Sequence, residues 1–179
     1  MKRKTFFKKI PSEEITPLEI YMRFLDDKNS YFFESVEGGE KWAKYSIIGL
    51  PTDKKIKLSD SPLDEIDDFM KSQKVERIEG LPDFTGGLVG YFSYDTIRHI
   101  EKKLSNSKKP QLNYAEISLM ISDELIVYDN YEKNLFIIVN DFEKNEKLAN
   151  SRIDEILQQI NTPLEDCLLY TSDAADERS

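Results

Sequence analysis

Few residues of this 179-residue chain could do chemistry, and their spacing excludes more reactions than it suggests. There is one histidine, His99, and one cysteine, Cys167. Single copies allow neither an internal disulfide nor a Cys/His cluster for zinc. A Ser/His/Asp triad on His99 has no motif around it, and a histidine near a helix C-terminus, where the macrodipole favours its charge, is the better reading. Asp64, Glu65, Asp67 and Asp68 gather four carboxylates. They fall in the first turns of an amphipathic segment, which predicts a solvated helix face and not a metal site. Gly86-Gly87-Leu88-Val89-Gly90 matches neither glycine-rich phosphate pattern, so it predicts close backbone packing. No catalytic and no metal-binding residue is expected from these groups.

The formal net charge is −9, with the acidic residues interspersed among lysines. No basic face is offered to a phosphate backbone, so nucleic acid is not an expected partner. No apolar run approaches the ~20 residues that cross a bilayer, and the start, Met1 to Lys9, lacks a following apolar stretch of the secretory kind. The expectation is a soluble, cytoplasmic protein without membrane contact. A hydrophobic fraction of 39%, with ten Phe and nine Tyr, supplies the apolar area of one ordinary domain.

The elements that must position any site follow from local pattern. Thr16-Pro17 ahead of Leu18, Ile20, Tyr21, Phe24 and Leu25 predicts an N-cap, a proline at the first helical position and a helix of about three turns. Tyr31 to Val36 predicts a buried strand stopped by Gly38-Gly39, and Lys44 to Pro51 its returning partner. Lys54 to Ser59 alternates as an edge strand would. Ser61-Pro62 with Leu63, Ile66, Phe69 and Met70 marks a second helix. Phe84 to Ser93 predicts a glycine-rich strand that leads into a short helix from Tyr94 to about Ile100. The apolar runs Ile117 to Tyr128 and Leu135 to Val139 predict a further hairpin across the turn-rich 129–134. Leu148, Ile153, Ile156, Leu157 and Ile160 predict a last helix that ends at Asn161-Thr162-Pro163. The sum is an α+β fold, mainly antiparallel sheet built of hairpins, with about three to four helices.

The segment from Cys167 to Ser179 continues no pattern. One back-translation of Cys167 to Glu177 resembles the transposon end and adaptor used in sequencing libraries, read through in frame. The expected organisation is one native domain, 1–166, of an incomplete protein, followed by a non-native tail, 167–179.

Two ordered blocks carry a family resemblance. Phe32-Phe33-Glu34-Ser35, Glu37-Gly38-Gly39 and Lys44-Tyr45-Ser46-Ile47-Ile48-Gly49 resemble the amino-terminal signature of anthranilate synthase component I, whose usual forms are Leu-Leu-Glu-Ser and Arg-Tyr-Ser-Phe-Ile-Gly. Phe84-Thr85-Gly86-Gly87-Leu88-Val89-Gly90-Tyr91, followed by Tyr94-Asp95 and Arg98, resembles its Phe-x-Gly-Gly-x-Val-Gly-Tyr block. A weaker match runs from Ser122-Asp123 through Val127-Tyr128-Asp129, with Asn130 where the family often has histidine. The resemblance implies a parent enzyme that converts chorismate and glutamine-derived ammonia to anthranilate and pyruvate. It implies magnesium, a glutamine amidotransferase partner (component II) and feedback inhibition by tryptophan. In that family the chorismate and magnesium sites lie in the larger carboxy-terminal domain, whose motifs this chain lacks. The amino-terminal domain helps form the tryptophan site, so the resemblance carries over Glu34 and Ser35, with Lys44, Tyr45 and Ser46 as neighbours.

That assignment suits a zwitterionic amino acid, which needs an acceptor for its ammonium, a donor for its carboxylate and an apolar wall. Successive strand residues point to opposite faces, however, so Glu34 and Ser35 share a pocket only if a bulge re-aims one. Ser35 is favoured as the direct contact, and Glu34 suits a structural ion pair nearly as well. The rival within the superfamily is component I of aminodeoxychorismate synthase, which usually reads Asp-Ser where this chain has Glu34-Ser35. A non-catalytic stand-alone binding module is the rival of another class.

Overall fold

The computed structural model of the protein describes residues 3–12, 14–26, 28–34, 44–58, 62–73, 77–101, 103–104, 115–141 and 145–163. The seven strands among them are β1 (Lys4–Pro11), β2 (Asn29–Phe33), β3 (Tyr45–Thr52), β4 (Gly87–Phe92), β5 (Ile117–Ser122), β6 (Glu124–Asp129) and β7 (Asn134–Asp141). The helices are α1 (Pro17–Met22), α2 (Pro62–Ser72), α3 (Ile97–Ile100) and α4 (Glu146–Asn161), with a 3-10 turn, Tyr94–Thr96, leading into α3. Five strands form one sheet in the order β1-β7-β6-β3-β2, and β4 pairs with β5 in a second. Every pairing is antiparallel, so the α+β architecture of hairpins expected from the sequence is the one observed.

The five-stranded sheet is buried on both faces. Leu125 to Tyr128 and Leu135 to Val139 are each no more than 5% exposed, which explains why β6 and β7 read as unbroken apolar runs and not as alternations. On one face Ile48, Ile126, Tyr128, Leu135 and Ile137 meet Ile20 of α1 and Ile153, Ile156 and Ile160 of α4. On the other, Leu125, Val127, Phe136 and Ile138 lie under Leu81, with Ile78 and Phe84 beside it. A fully buried aliphatic side chain contributes roughly 1.5–3 kcal/mol, so this double layer is the main source of stability.

Helix starts follow their chemistry. Thr16 caps α1 through its side chain, Pro17 opens the helix, and Glu19 completes a reciprocal capping box. Asn145 caps α4 by accepting from the Leu148 amide. Asp64 and Glu65 occupy the first turn of α2.

Four expectations need correction. The helix at Pro17 has six residues, not three turns, because Leu18 and Leu25 point to solvent and give it no longer apolar face. Lys54 to Ser59 is no strand over its described part; it makes a single bridge, Lys55 to Met120, flanked by hydrogen bonds from Ile56 N to Leu119 O and from Ile121 N to Lys54 O. The run Ile117 to Tyr128 is two strands in different sheets, divided at Asp123. Leu148 is 61% exposed and off the apolar face of α4, where Ala149 is buried instead. The sequence pattern also missed β1, whose lysines hide an edge strand that pairs along its whole length with β7. The expected boundary at Asp166 and the tail 167–179 lie outside the described residues.

A buried polar network ties the two sheets together where β5 passes into β6. Asn140 donates from Nδ2 to the carbonyls of Thr85 and Asp123, at 2.8 Å each, and accepts from Thr5 Oγ1 at 2.7 Å. Arg3 Nη2 donates to the same Thr85 carbonyl at 3.0 Å, and Lys54 Nζ reaches Asp123 Oδ2 at 2.7 Å. Burial pushes the Arg3 guanidinium below its ordinary range, with Asp123 opposing. A Cβ at Gly86 (φ +123°) would run into that guanidinium and the Ser122 carbonyl, so the glycine is what lets the chain close here.

Candidate functional site

The returning strand of the first hairpin begins beside the tight turn that joins β6 to β7. Tyr45 pairs with Asp129 and Ser46 with Tyr128, and the Asn130 amide donates to the Lys44 carbonyl at 2.8 Å. Asp129, 1% exposed, shapes the turn by accepting from the Tyr131 and Glu132 amides at 3.0 Å each. Its other oxygen lies 3.6 Å from Lys44 Nζ, which also stands over the Tyr45 ring at 5.1 Å. Hydrogen bonding to the Tyr45 side chain, and then the charge of Asp129, hold the Lys44 ammonium above its usual range. Lys44 therefore stays charged at neutral pH. Ser46 is fully buried and accepts at Oγ from Asn130 Nδ2 at 3.2 Å.

The candidates divide between the two faces of the sheet. Ser46 shares the helix-covered face with Ile48 and Tyr128, whereas Tyr45 packs with Ile47 against the Leu81 cluster. Glu34 follows Phe33, which pairs with Ile47, and is exposed at the end of β2. Among the described residues it forms no ion pair. Ser35, the favoured direct contact, lies outside the described residues. The structure thus gathers Lys44, Tyr45 and Ser46 at one corner and adds two residues that the sequence analysis did not select, Asp129 and the Asn130 side chain. Asn130 was noted only as a replacement; its bond to Ser46 required the pairing of β3 with β6, which no local pattern specifies.

Tyr31 connects this hairpin to the second sheet. Its ring covers Gly49 across the ladder, where a Cβ would collide with it, and its hydroxyl shares a hydrogen bond of 2.8 Å with Ser122 Oγ. Burial pushes the Tyr31 phenol up to about 12.

The other chemically capable groups are accounted for locally. His99 lies in the last turn of α3, as expected, with Nε2 at 2.9 Å from Glu116 Oε2. Asp67 and Asp68 face solvent and pair with Lys71. Among the described residues no three His, Cys, Asp or Glu side chains are grouped to hold a metal ion. No described helix is long and apolar enough to cross a membrane.

The sequence profile of the chorismate binding enzyme family matches residues 28–178. The chain belongs to the chorismate binding enzyme family. It is 37% identical to anthranilate synthase component 1 of Pseudomonas aeruginosa, in an alignment covering 83% of this chain and 35% of that protein. The component 1 protein of Acetivibrio thermocellus is also 37% identical, over 70% of this chain and 28% of that one. In three dimensions the chorismate-family chain resembles the crystal structure of anthranilate synthase component I from Streptococcus pneumoniae, with a TM-score of 0.57, 19% identity, and coverage of 87% of this chain and 37% of that one. That likeness bears on the fold. The chain spans about a third of the length of the curated relatives it matches.

Proposed function

We propose that this chain is the regulatory part of an anthranilate synthase component I. The parent would use chorismate and ammonia, delivered by a glutamine amidotransferase subunit, to form anthranilate and pyruvate in tryptophan biosynthesis. The carrying observation is the 37% identity to a protein of that name over 83% of the chain, a span that takes in both signature blocks. The Glu34-Ser35 pair supports this pathway over the aminodeoxychorismate alternative. Chorismate chemistry and magnesium belong, on this reading, to the part of the parent beyond this chain.

The chain's own contribution is an effector corner for tryptophan. Glu34 supplies an exposed carboxylate for an ammonium, Lys44 a standing positive charge for a carboxylate, and Ser35 a hydroxyl between them in sequence. Asp129 and Asn130 act as positioning residues: the first holds the Lys44 ammonium, the second holds Ser46 and the start of β3. Coupling between such a corner and chorismate turnover would be reciprocal in binding free energy.

The test is the complete parent with Ser35→Phe. Anthranilate formation, followed by its fluorescence, is expected to continue while inhibition by tryptophan weakens at least tenfold. Unchanged sensitivity to tryptophan would refute the effector corner. A parent that forms no anthranilate from chorismate, ammonia and magnesium would refute the pathway.

A further inference from the structure

We infer that the cleft between Arg3 and the carboxy-terminal end of α2 binds a small 2-hydroxy carboxylate, which clamps α2 onto the sheet. The cleft is separate from the effector corner. Asp129, at that corner, pairs with Asn134 at the near end of β7, whereas Arg3 precedes Lys4, which pairs with Asp141 at the far end.

The cleft has a volume of about 410 Å³, a size proper to a small-molecule site, and its lining includes Arg3, Gly86 and Gly87 with Asp67, Lys71 and Gln73. Arg3 is only 7% exposed, yet among the described residues its guanidinium makes one hydrogen bond, from Nη2 to the Thr85 carbonyl, and Nε is buried without a partner. A guanidinium has five N–H donors, and a buried charge so little engaged is costly unless another group takes them. Asp123 attracts Arg3 but gives its Oδ2 to Lys54 at 2.7 Å. Gln73 supplies the complement: Nε2 donates to Ser72 Oγ at 3.0 Å, while Oε1 is buried without a partner. Most buried polar atoms in folded proteins are paired, so an orphan donor and an orphan acceptor on the residues of one cleft point to a ligand. A water would satisfy either atom and leave the charge of Arg3 unanswered.

Charge selects the class of ligand. Lys71 is paired with Asp67 and, at 3.9 Å, with Asp68, so Arg3 carries the lining charge that has no ion pair among the described residues. A monoanion answers one such charge, whereas a zwitterion leaves it and a phosphate dianion exceeds it. A carboxylate matches the planar fork of the guanidinium, and a hydroxyl on the neighbouring carbon supplies the donor that Gln73 Oε1 lacks. The carbonyl end of α2 likewise favours the donor end of the ligand over its anionic end.

The helix has use for such a clamp. Pro62 is the one residue of α2 that is buried, whereas α4 buries Ala149, Ile153, Ile156 and Ile160. Opposite the helix, Gly86 and Gly87 contribute backbone alone to the lining, and their φ angles of +123° and +147° are ones that side chains rarely adopt. A Cβ at Gly87 would meet nothing nearer than the Phe84 ring at 4.0 Å, so the space it leaves is open. A ligand held by both Arg3 and Gln73 ties this lightly packed helix to the start of β1.

The experiment titrates this chain with sodium lactate and, at equal ionic strength, with acetate, alanine, phosphate and chloride, and follows the Arg3 Nε–H and Gln73 side-chain amide signals by NMR. Lactate is expected to shift both saturably and to slow amide exchange across 62–72 by about threefold or more. Acetate, which lacks the hydroxyl, is expected to bind about threefold or more weakly. Gln73→Leu should bring lactate down to the affinity of acetate, and Arg3→Lys, which keeps the charge and loses the fork, should abolish saturation. A response to lactate no different from that to chloride would overturn the site, as would shifts confined to Lys44 and Tyr45, which would mean binding at the effector corner. Alanine or phosphate binding as tightly as lactate, or lactate binding untouched by Gln73→Leu, would overturn the ligand assigned to it. The titration of the unaltered chain decides the matter even if Arg3→Lys does not fold.

Discussion

The five-stranded sheet and the β4–β5 pair follow one another in the chain with a single residue, Asp123, between β5 and β6, yet they differ in how far each can stand alone. The larger sheet covers one face with α1 and α4 and the other with the Leu81 segment, and its central strands are almost wholly buried. The smaller one pairs two strands, of which the last three residues of β4 are exposed. The same stretch of sequence, Ile117 to Tyr128, serves both. Apolar content therefore does not by itself tell how deeply a strand is buried; what differs is how much of each sheet the other described elements cover.

The contrast can be broken most forcefully in the larger sheet. Ile137→Ala, at a fully buried site in β7, is expected to cost about 2–5 kcal/mol and to lower protection in every strand of that sheet, as read by denaturant unfolding with amide exchange. A purely local loss would show that the sheet is not one cooperative unit.

Tyr31 tests the link between the sheets. Its phenol is protonated up to about pH 12 in the fold, whereas an exposed tyrosine ionises near 10. Its share of stability is thus complete below pH 10 and fades as the pH rises from 10 to 12, by roughly 2–3 kcal/mol. Tyr31→Phe should lack that alkaline component when unfolding is followed against pH, after losing about 1 kcal/mol at neutral pH for the bond to Ser122. Parallel alkaline curves for the two proteins would contradict the burial of the phenol.

Gly90→Ala sharpens the comparison from the other side. The added Cβ meets the backbone of Ser118, and overpacking of this kind costs about 1–3 kcal/mol. Exchange is expected to accelerate across 87–92 and 117–122 while β6 and β7 keep their protection. Loss in both sheets would mean that they unfold together.

Legibility in the sequence followed the range of the interactions concerned. The cap at Thr16-Pro17, the hairpin through Tyr31 and Ile47, the helix at Tyr94 and the helix stop at Asn161 depend on neighbours a few residues away, and all were readable. β1 was not, because Lys4, Lys8 and Lys9 mask a strand whose one strand partner among the described residues, β7, is far away in sequence. Nor was the break at Asp123, which carries no glycine or proline; it is fixed by Asn140, which takes the Asp123 carbonyl. At the candidate site, sequence similarity supplied Glu34, Lys44, Tyr45 and Ser46, but alternation placed Tyr45 and Ser46 on opposite faces. Asp129 and Asn130 became visible only when β3 was paired with β6.

The pairing of β1 with β7 also sets a timetable. Lys4 pairs with Asp141, so on the ribosome β1 is obliged to wait for β7, an interval on the order of ten seconds at ordinary elongation rates. Through that interval Phe6 and Phe7 travel without a partner, and lysines interspersed with them act as gatekeepers against aggregation. The acids that later meet those lysines, Glu132 for Lys9, Glu146 for Lys4 and Asp154 for Lys8, are all made late. The charge that keeps the waiting strand in solution is thus neutralised only around the time its partner strand is made.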